Sequence, residues 1–361
     1  MSALIPRPGI LDVAPYIGGE AQAEGVTRLI RLASNEGAFG PSPAAMIAYK
    51  ELAGDIHRYP DGGCVKLCQA LGKQFGVDSD RIVCGSGSDE LLSLLARAYA
   101  GPGDEVLYSA HGFLMYPIAA RTVGATPVSA PERDLTADVD ALLAAVTPRT
   151  RILFLANPNN PTGSYLTRGQ LARLHAGLPG NVLLVVDAAY SEFVTEADYS
   201  DGLELVEAAE NVVMTRTFSK MYGLGGLRLG WCYAKPEVIG VLNRVRGPFN
   251  VTSAAQAAGV AALADTDFVE KCRTHNTQCR EWFSAQLRQL GLTVYPSVGN
   301  FVLVNFAPWG QAEAVRLHLK ARGILIRQMG VYGLPGCLRM TIGTQEEMGE
   351  VLAAVAGYPR G

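Results

Sequence analysis

The sequence predicts an α/β fold: a large domain with a mainly parallel sheet flanked by helices, plus a smaller α+β domain. Three observations predict it. From about residue 80 to residue 215, short apolar runs alternate with segments of helical period. The run Val182–Val186 is apolar throughout and stops at Asp187, the pattern of a strand covered on both faces. Beyond about residue 245 the alternation ends, and a long helix-rich stretch precedes several short strands.

In chain order, residues 1–30 read as an irregular arm, because Pro6, Pro8, Gly9, Pro15, Gly18 and Gly19 interrupt any period. The large domain is expected over 31–245. A strand at 81–84 runs into a Gly/Ser turn, and 89–98 has apolar residues at helical spacing. Further strands are expected at 104–108, 127–129, 153–156, 182–186 and 212–215, with helices at 116–123 and 167–176. The small domain is expected over 246–361. It holds helices through 252–290, strands near 293–296 and 301–305, a helix at 311–322, and strands near 324–327 and 337–342.

The composition excludes several function classes. At ~150 residues per domain, 361 residues suit about two domains. Apolar residues at 48% and charged residues at 18% mark a folded chain rather than a disordered one. Lys+Arg 31 against Asp+Glu 34 gives a net charge of −3, so no strong field draws nucleic acid or an anionic membrane. No apolar run approaches the ~20 residues of a membrane helix. The opening text, Met1 to Gly9, has no basic patch followed by an apolar block, so a cytoplasmic location is expected. The seven cysteines are odd in number and form no CxxC, which suits reduced thiols in that compartment. Cys64 and Cys68 share a helix face without the further ligands of a zinc site, and no metal is expected.

Four segments carry chemistry. Gly85-Ser-Gly-Ser-Asp-Glu90 lies between a strand and a helix, where free N–H groups and the helix dipole favour an anion. Glu90 occupies the third glycine position of a dinucleotide turn, which disfavours a nicotinamide oxidoreductase. Asn159-Asn-Pro-Thr-Gly163 sits at the C-terminal end of an apolar strand, where open α/β sheets bind ligands. Asp187 ends the most apolar strand and needs a partner, either a helix N-terminus or a cationic ring nitrogen, and Tyr190 follows three residues on. Thr217-Phe-Ser-Lys220 through Arg228 offers two hydroxyls, an amine and a guanidinium. Among apolar neighbours Lys220 is a candidate nucleophile. Singly, each segment also reads as an ordinary turn, cap or surface charge.

Together and in this order they resemble the fold-type I, class II aminotransferases that use pyridoxal 5′-phosphate. The text is similar to the histidinol-phosphate aminotransferase branch at Leu32-Ala-Ser-Asn-Glu36, Tyr59-Pro-Asp-Gly62, Gly87–Glu90, Asn159–Gly163, Thr217–Lys220, Gly226–Gly230, Pro248–Val251, Gly299–Phe301, Tyr332–Pro335 and Leu338-Arg339. The resemblance implies that Lys220 forms the internal Schiff base and shuttles the α-proton. It implies that Asp187 pairs with the ring nitrogen, that Tyr190 and Asn160 bond the ring hydroxyl, and that Phe113 stacks on the ring. Gly87, Ser88, Asp89, Thr217, Ser219 and Arg228 would hold the phosphate. Tyr59 would reach it from the other subunit of a homodimer. Tyr16, Asn35, Arg327 and Arg339 would line the substrate pocket, the two arginines serving both a phosphate and a dicarboxylate.

The implied reaction moves an amino group between L-histidinol phosphate and 2-oxoglutarate, with imidazole-acetol phosphate and glutamate as products, in ping-pong fashion within histidine biosynthesis. The alternatives are a phenylalanine or tyrosine aminotransferase and a threonine-phosphate decarboxylase. A non-catalytic regulatory protein of this fold is disfavoured by the intact Lys220. Gly37-Ala38 and Gln328 depart from the branch's usual prolines on the substrate side.

Overall fold

The computed structural model describes residues 4–359 apart from Ile17, Glu24 and Gln311. The chain runs β1 (Ile30–Leu32), α1 (Pro43–Glu51), α2 (Val65–Phe75), β2 (Ile82–Gly85), α3 (Ser88–Tyr99), β3 (Glu105–Ser109), α4 (Met115–Thr122) and β4 (Thr126–Ala130). A short ribbon, β5 (Glu132–Arg133) and β6 (Thr136–Ala137), leads to α5 (Val139–Ala144), β7 (Thr150–Ala156), α6 (Arg168–Gly177), β8 (Leu183–Asp187), α7 (Leu203–Ala208), β9 (Val212–Thr217) and β10 (Gly230–Ala234). The rest comprises α8 (Pro236–Val245), α9 (Ser253–Ala264), α10 (Thr266–Gln289), β11 (Thr293–Val294), β12 (Phe301–Asn305), α11 (Ala312–Lys320), β13 (Ile324–Gln328), β14 (Cys337–Thr341) and α12 (Gln345–Ala356).

The large sheet has seven strands in the order β2-β10-β9-β8-β7-β3-β4. All run parallel except β10, which pairs antiparallel with both β2 and β9. Sequence alternation does not reveal β10, because no helix separates it from β9. The Lys220 loop makes that connection instead. Strands β8, β9 and β10 are buried along their whole length, with apolar clusters on both faces of the sheet. Helices begin where side chains cap them: Thr167 with Gln170 forms a capping box at α6, and Thr344 with Glu347 forms another at α12.

The small sheet is ordered β1-β13-β14-β12-β11, with β1 parallel to β13 and the other pairs antiparallel. Two expected boundaries shift. Residues 30–32, expected at the junction of the arm and the large domain, are an edge strand of the small sheet. Helix α9, expected in the small domain, packs against α1 and α2 and buries Ala255, Ala258 and Ala262 in the large core. The small domain's own core starts in α10, with Cys279, Phe283 and Leu287 under the sheet. Small residues let α9 lie close: a Cβ on Gly259 would stand 2.6 Å from Leu229 Cδ2.

One glycine fixes how the large sheet meets the turn before α3. A Cβ on Gly230, the first residue of β10, would lie 2.3 Å from the Ser88 nitrogen. Gly349, inside α12, has nothing within 4 Å of its Cβ position. Gly230→Ala is therefore expected to lower unfolding free energy by about 1–3 kcal/mol through overpacking. Gly349→Ala is expected to raise it by about 0.5–1 kcal/mol through helix propensity. Urea denaturation of the two variants checks both signs.

Candidate active site

The C-terminal ends of the parallel strands open onto a cavity of about 310 Å³. Its floor is Asp187, the last residue of β8. The carboxylate is buried and accepts hydrogen bonds from Tyr116 Oη at 2.9 Å and Thr215 Oγ1 at 3.2 Å. Burial pushes its pKa up to about 6 against the pull of these two hydroxyls. Among the described residues Asp187 makes no salt bridge, so its geometry suits a cation delivered by a ligand.

A turn for an anion lies on one side. Gly87 (φ 87) caps α3, and Ser88 and Asp89 open the helix. A Cβ on Gly87 would come 2.4 Å from Arg228 Nη2 and would push the guanidinium aside, and the residue's positive φ favours glycine as well. Arg228 itself takes a left-handed conformation (φ 52), its Nη2 2.9 Å from Asp89 Oδ2 and its Nη1 3.4 Å from Ser219 Oγ. Thr217 Oγ1 donates to Ser219 Oγ at 3.0 Å. Glu90 accepts from the Ser86 amide at 2.6 Å and from Asn250 Nδ2 at 2.7 Å. The residue that breaks the dinucleotide pattern thus braces the turn.

Lys220 follows β9, and its Nζ donates to the Ser34 carbonyl at 2.9 Å. Burial, and then the Arg339 cation, lower its pKa to about 8, so a sizeable neutral fraction exists near neutrality. Tyr190 Oη accepts from Asn35 Nδ2 at 2.9 Å, and burial raises the phenol to about 12. Arg339 on β14 donates to the Ala33 carbonyl at 2.8 Å and to Asn160 Oδ1. Its Nε is buried without a partner. Arg327 on β13 stands directly opposite Arg339 in the strand register.

Fourteen of the sixteen residues expected from sequence line this cavity. They are Tyr16, Asn35, Ser88, Asp89, Phe113, Asn160, Asp187, Tyr190, Thr217, Ser219, Lys220, Arg228, Arg327 and Arg339. Gly87 lies just behind the wall, against Arg228. Tyr59 is apart from it, 83% exposed and stacked on Phe249 at 4.8 Å. Asn160, expected to bond a cofactor ring hydroxyl, lines the cavity and accepts from Arg339 through its Oδ1. Sequence reasoning missed Tyr116, Thr215, Ser34 and Tyr332. Tyr116 lies one helical turn after Phe113, and Thr215 faces Asp187 across the β8–β9 register. Gly37 has a packing reason, since its Cβ would lie 3.0 Å from the Lys220 carbonyl oxygen.

The residues fit pyridoxal phosphate on structural grounds. A buried carboxylate makes no salt bridge among the described residues, a glycine turn lies beside a guanidinium, and an amine of lowered pKa lines the same cavity. Fold and site define a transaminase of the α/β kind. The family model for aminotransferase class I and II matches residues 27–355, and the chain belongs to that family. It is 64% identical over 362 residues to "Histidinol-phosphate aminotransferase" of Rhodospirillum centenum, covering 100% of both chains. The corresponding protein of Paramagnetospirillum magneticum is 63% identical, with 99% of each covered. Among solved structures, histidinol-phosphate aminotransferase from Sinorhizobium meliloti in complex with pyridoxal-5′-phosphate aligns at TM-score 0.89 and 31% identity over 98% of each chain.

Asp187 gives a pH-dependent prediction. Its folded pKa of about 6 lies above the ~3.9 of an unfolded aspartate, so the folded chain holds the proton more tightly between those values. Its contribution to stability is present below pH ~4 and lost as pH rises through about 6. Asp187→Asn is expected to make the ligand-free protein more stable at pH 7 by about 1–3 kcal/mol, with the gain vanishing toward pH 4. Urea titrations at the two pH values measure this. A gain that does not depend on pH would contradict the assignment.

Proposed function

We propose that this chain is a pyridoxal phosphate-dependent transaminase that exchanges the amino group between L-histidinol phosphate and 2-oxoglutarate, a step of histidine biosynthesis. The observation that carries this reading is the register pair of Arg327 and Arg339 at the cavity mouth. Like charges directly opposite on a sheet are unfavourable unless an anion joins them. Histidinol phosphate brings a phosphate dianion and 2-oxoglutarate brings two carboxylates. An aromatic amino acid brings a single carboxylate and less negative charge to the same two arginines. The full-length identity to two histidinol-phosphate aminotransferases supports the same choice.

Bound pyridoxal phosphate supplies an aldehyde for the substrate amine and an electron sink for the carbanion left when the α-proton departs. The chain's residues do the rest. Asp187 stabilises a protonated ring nitrogen, and the cation in turn holds the carboxylate ionised. The amides of Gly87, Ser88 and Asp89 with Thr217, Ser219 and Arg228 bind the phosphate dianion. Asp89 also orients Arg228 through its carboxylate. Phe113 offers a ring face, and Tyr190 offers a hydroxyl that Asn35 positions. Lys220, about half neutral near pH 8, would hold the cofactor by its amine and, once free, would carry the proton at the substrate α-carbon. Arg339 and Arg327 bind the substrate's anionic end, and Tyr16 closes the same side.

The functional unit is proposed to be a cytoplasmic homodimer. Ile56, Tyr59 and Phe249 make an exposed apolar face at the Tyr59 loop. From there Tyr59 would serve the phosphate of the partner subunit. The seven cysteines are all free, as a reducing compartment requires.

Mixing the enzyme with a single amino donor tests the substrate. Histidinol phosphate is expected to bleach the visible cofactor band faster than phenylalanine does, in stopped-flow absorbance. The reverse order would move the enzyme to aromatic amino acids. Arg339→Leu is expected to cut kcat/KM about 10–100-fold for both histidinol phosphate and glutamate, the worth of a charged hydrogen bond. Mixed dimers of Lys220→Ala and Tyr59→Ala subunits are expected to be more active than either parent. No gain on mixing would rule out a Tyr59 acting across the interface.

A further inference from the structure

The turn that carries Phe113 into the cleft is held by a buried carboxylate that the transamination chemistry does not use. Strand β3 ends at Ser109, beside Ala130 at the end of β4. Glu132 follows two residues past β4, on β5, and its side chain is 2% exposed. It accepts three hydrogen bonds from the turn. Ser109 Oγ and the His111 amide donate to Oε1, the amide at 3.0 Å, and the His111 ring donates from Nδ1 to Oε2 at 2.7 Å. Burial pushes the Glu132 pKa up, but the His111 ring, the Ser109 hydroxyl and the His111 amide outweigh it and hold the carboxyl below the usual glutamate range. Hydrogen bonds to an ionised acceptor are the strong kind. Other groups of the turn are tied as well. The Ala110 amide donates to the Ala130 carbonyl at 2.9 Å, and the Gly112 amide to the Ser109 carbonyl at 2.7 Å. The His111 carbonyl accepts from Asn159 Nδ2 at 3.2 Å, and Asn159 also donates to Thr162 Oγ1 at 2.8 Å. The Thr162 and Ser164 hydroxyls are 2.8 Å apart, and Ser164 donates to the Leu135 carbonyl at 2.7 Å, between β5 and β6. The circuit closes: ribbon to turn through Glu132, turn to the Asn159 loop, and that loop back to the ribbon.

We propose that Glu132 is a positioning residue for transamination: by bonding Ser109 and His111 it fixes the turn that sets Phe113 against the face of the cofactor ring. The proposal rests on the transaminase reading, because a bound ring is what Phe113 would stack on. Phe113 lines the cleft and meets the Tyr116 ring edge-on at 6.0 Å, and Tyr116 in turn bonds Asp187. Glu132 is not among the residues that line the cleft, so its influence runs through the turn. Stacking needs a ring at a set height and tilt. A short segment that contains Gly112 keeps neither unless its ends are tied. Asp187 and the phosphate turn hold the edges of the cofactor, and Glu132 secures the face.

Glu105 supplies a control on the same strand. It is the first residue of β3, at the end away from the cleft, with a side chain 6% exposed that accepts from Thr147 Oγ1 and from Arg149 Nε at 2.9 Å. Glu132→Ala and Glu105→Ala each remove a buried, bonded carboxylate, and only the first should disturb Phe113. In the full-length chain without ligand, hydrogen exchange at amides 110–112 is expected to speed up roughly 10–100-fold in Glu132→Ala and to stay unchanged in Glu105→Ala. Pyridoxal phosphate titrated into Glu132→Ala is expected to bind about 3–10-fold more weakly, with reduced circular dichroism of the cofactor band. Glu105→Ala should match the wild type in both. Phe113→Leu should show the same loss, and adding Glu132→Ala to it should weaken binding by less than about 2-fold more. Where Glu132→Ala does not fold, Glu132→Gln, which keeps the shape and removes the charge, is read in the same way. Unchanged exchange at 110–112 would overturn the proposal. Faster exchange with fully additive affinity losses would overturn the route through Phe113. A wild-type chain that binds no pyridoxal phosphate would overturn the transaminase reading, and the exchange comparison would still decide whether Glu132 holds the turn.

Discussion

The carboxylate at the end of β8 is the constraint on which the site depends. Asp187 sits at the close of a strand buried along its whole length, so no solvent compensates its charge. Two hydroxyls soften the cost without removing it, as a pKa of about 6 records. The fold tolerates this strain because a ligand cation would relieve it. In the strand register Asp187 stands beside Ala156 on β7 and Thr215 on β9, neither of which brings a cation that would satisfy it and close the site.

A second constraint is the seam between the two sheets, made by residues 33–36. Ala33 offers its carbonyl to Arg339, and Ser34 offers its own to Lys220. Asn35 donates its side chain to Tyr190 and its amide to Thr341, and Asn300 reaches the carbonyls of Asn35 and Glu36. Asn35 takes a left-handed backbone (φ 55) to do so. Four residues therefore connect the amine, the phenol and the substrate arginine. Arg339 does not reach the cavity from an independent lobe. It is hydrogen-bonded to the same short segment that holds Lys220, which fixes the separation of the Arg339 guanidinium and the Lys220 amine through backbone geometry.

Much of this was legible in the sequence, and what was not has a common physical cause. The parallel strands and their helices follow from local periodicity, and Lys220, Asp187 and Arg228 stand out because polar groups interrupt apolar runs at strand ends. Strand β10 was not legible, since its burial comes from partners on both sides rather than from its own alternation. The three residues of β1 were assigned elsewhere because their pairing partner is almost three hundred residues away. Helix α9 has an apolar surface all round, and only its small residues show which core it joins. Tyr116 and Thr215 became functional only once helix packing and strand register set them against Asp187. Tyr59 cannot be placed by one chain, because its expected partner is a second copy.

On the proposed reading, the two arginines would let one cavity take two unlike anions in turn. Arg339 is fully engaged on one side, held by Ala33 and Asn160 and lying over the Phe301 ring at 5.4 Å. Its free donor is the buried Nε. Arg327, opposite it, is less buried. A fixed guanidinium sets where the anion sits, and a longer-reaching one adapts to whether that anion is a phosphate or the far carboxylate of a dicarboxylate. Recognition by charge count at a defined place, rather than by shape, is what a ping-pong enzyme with one site requires.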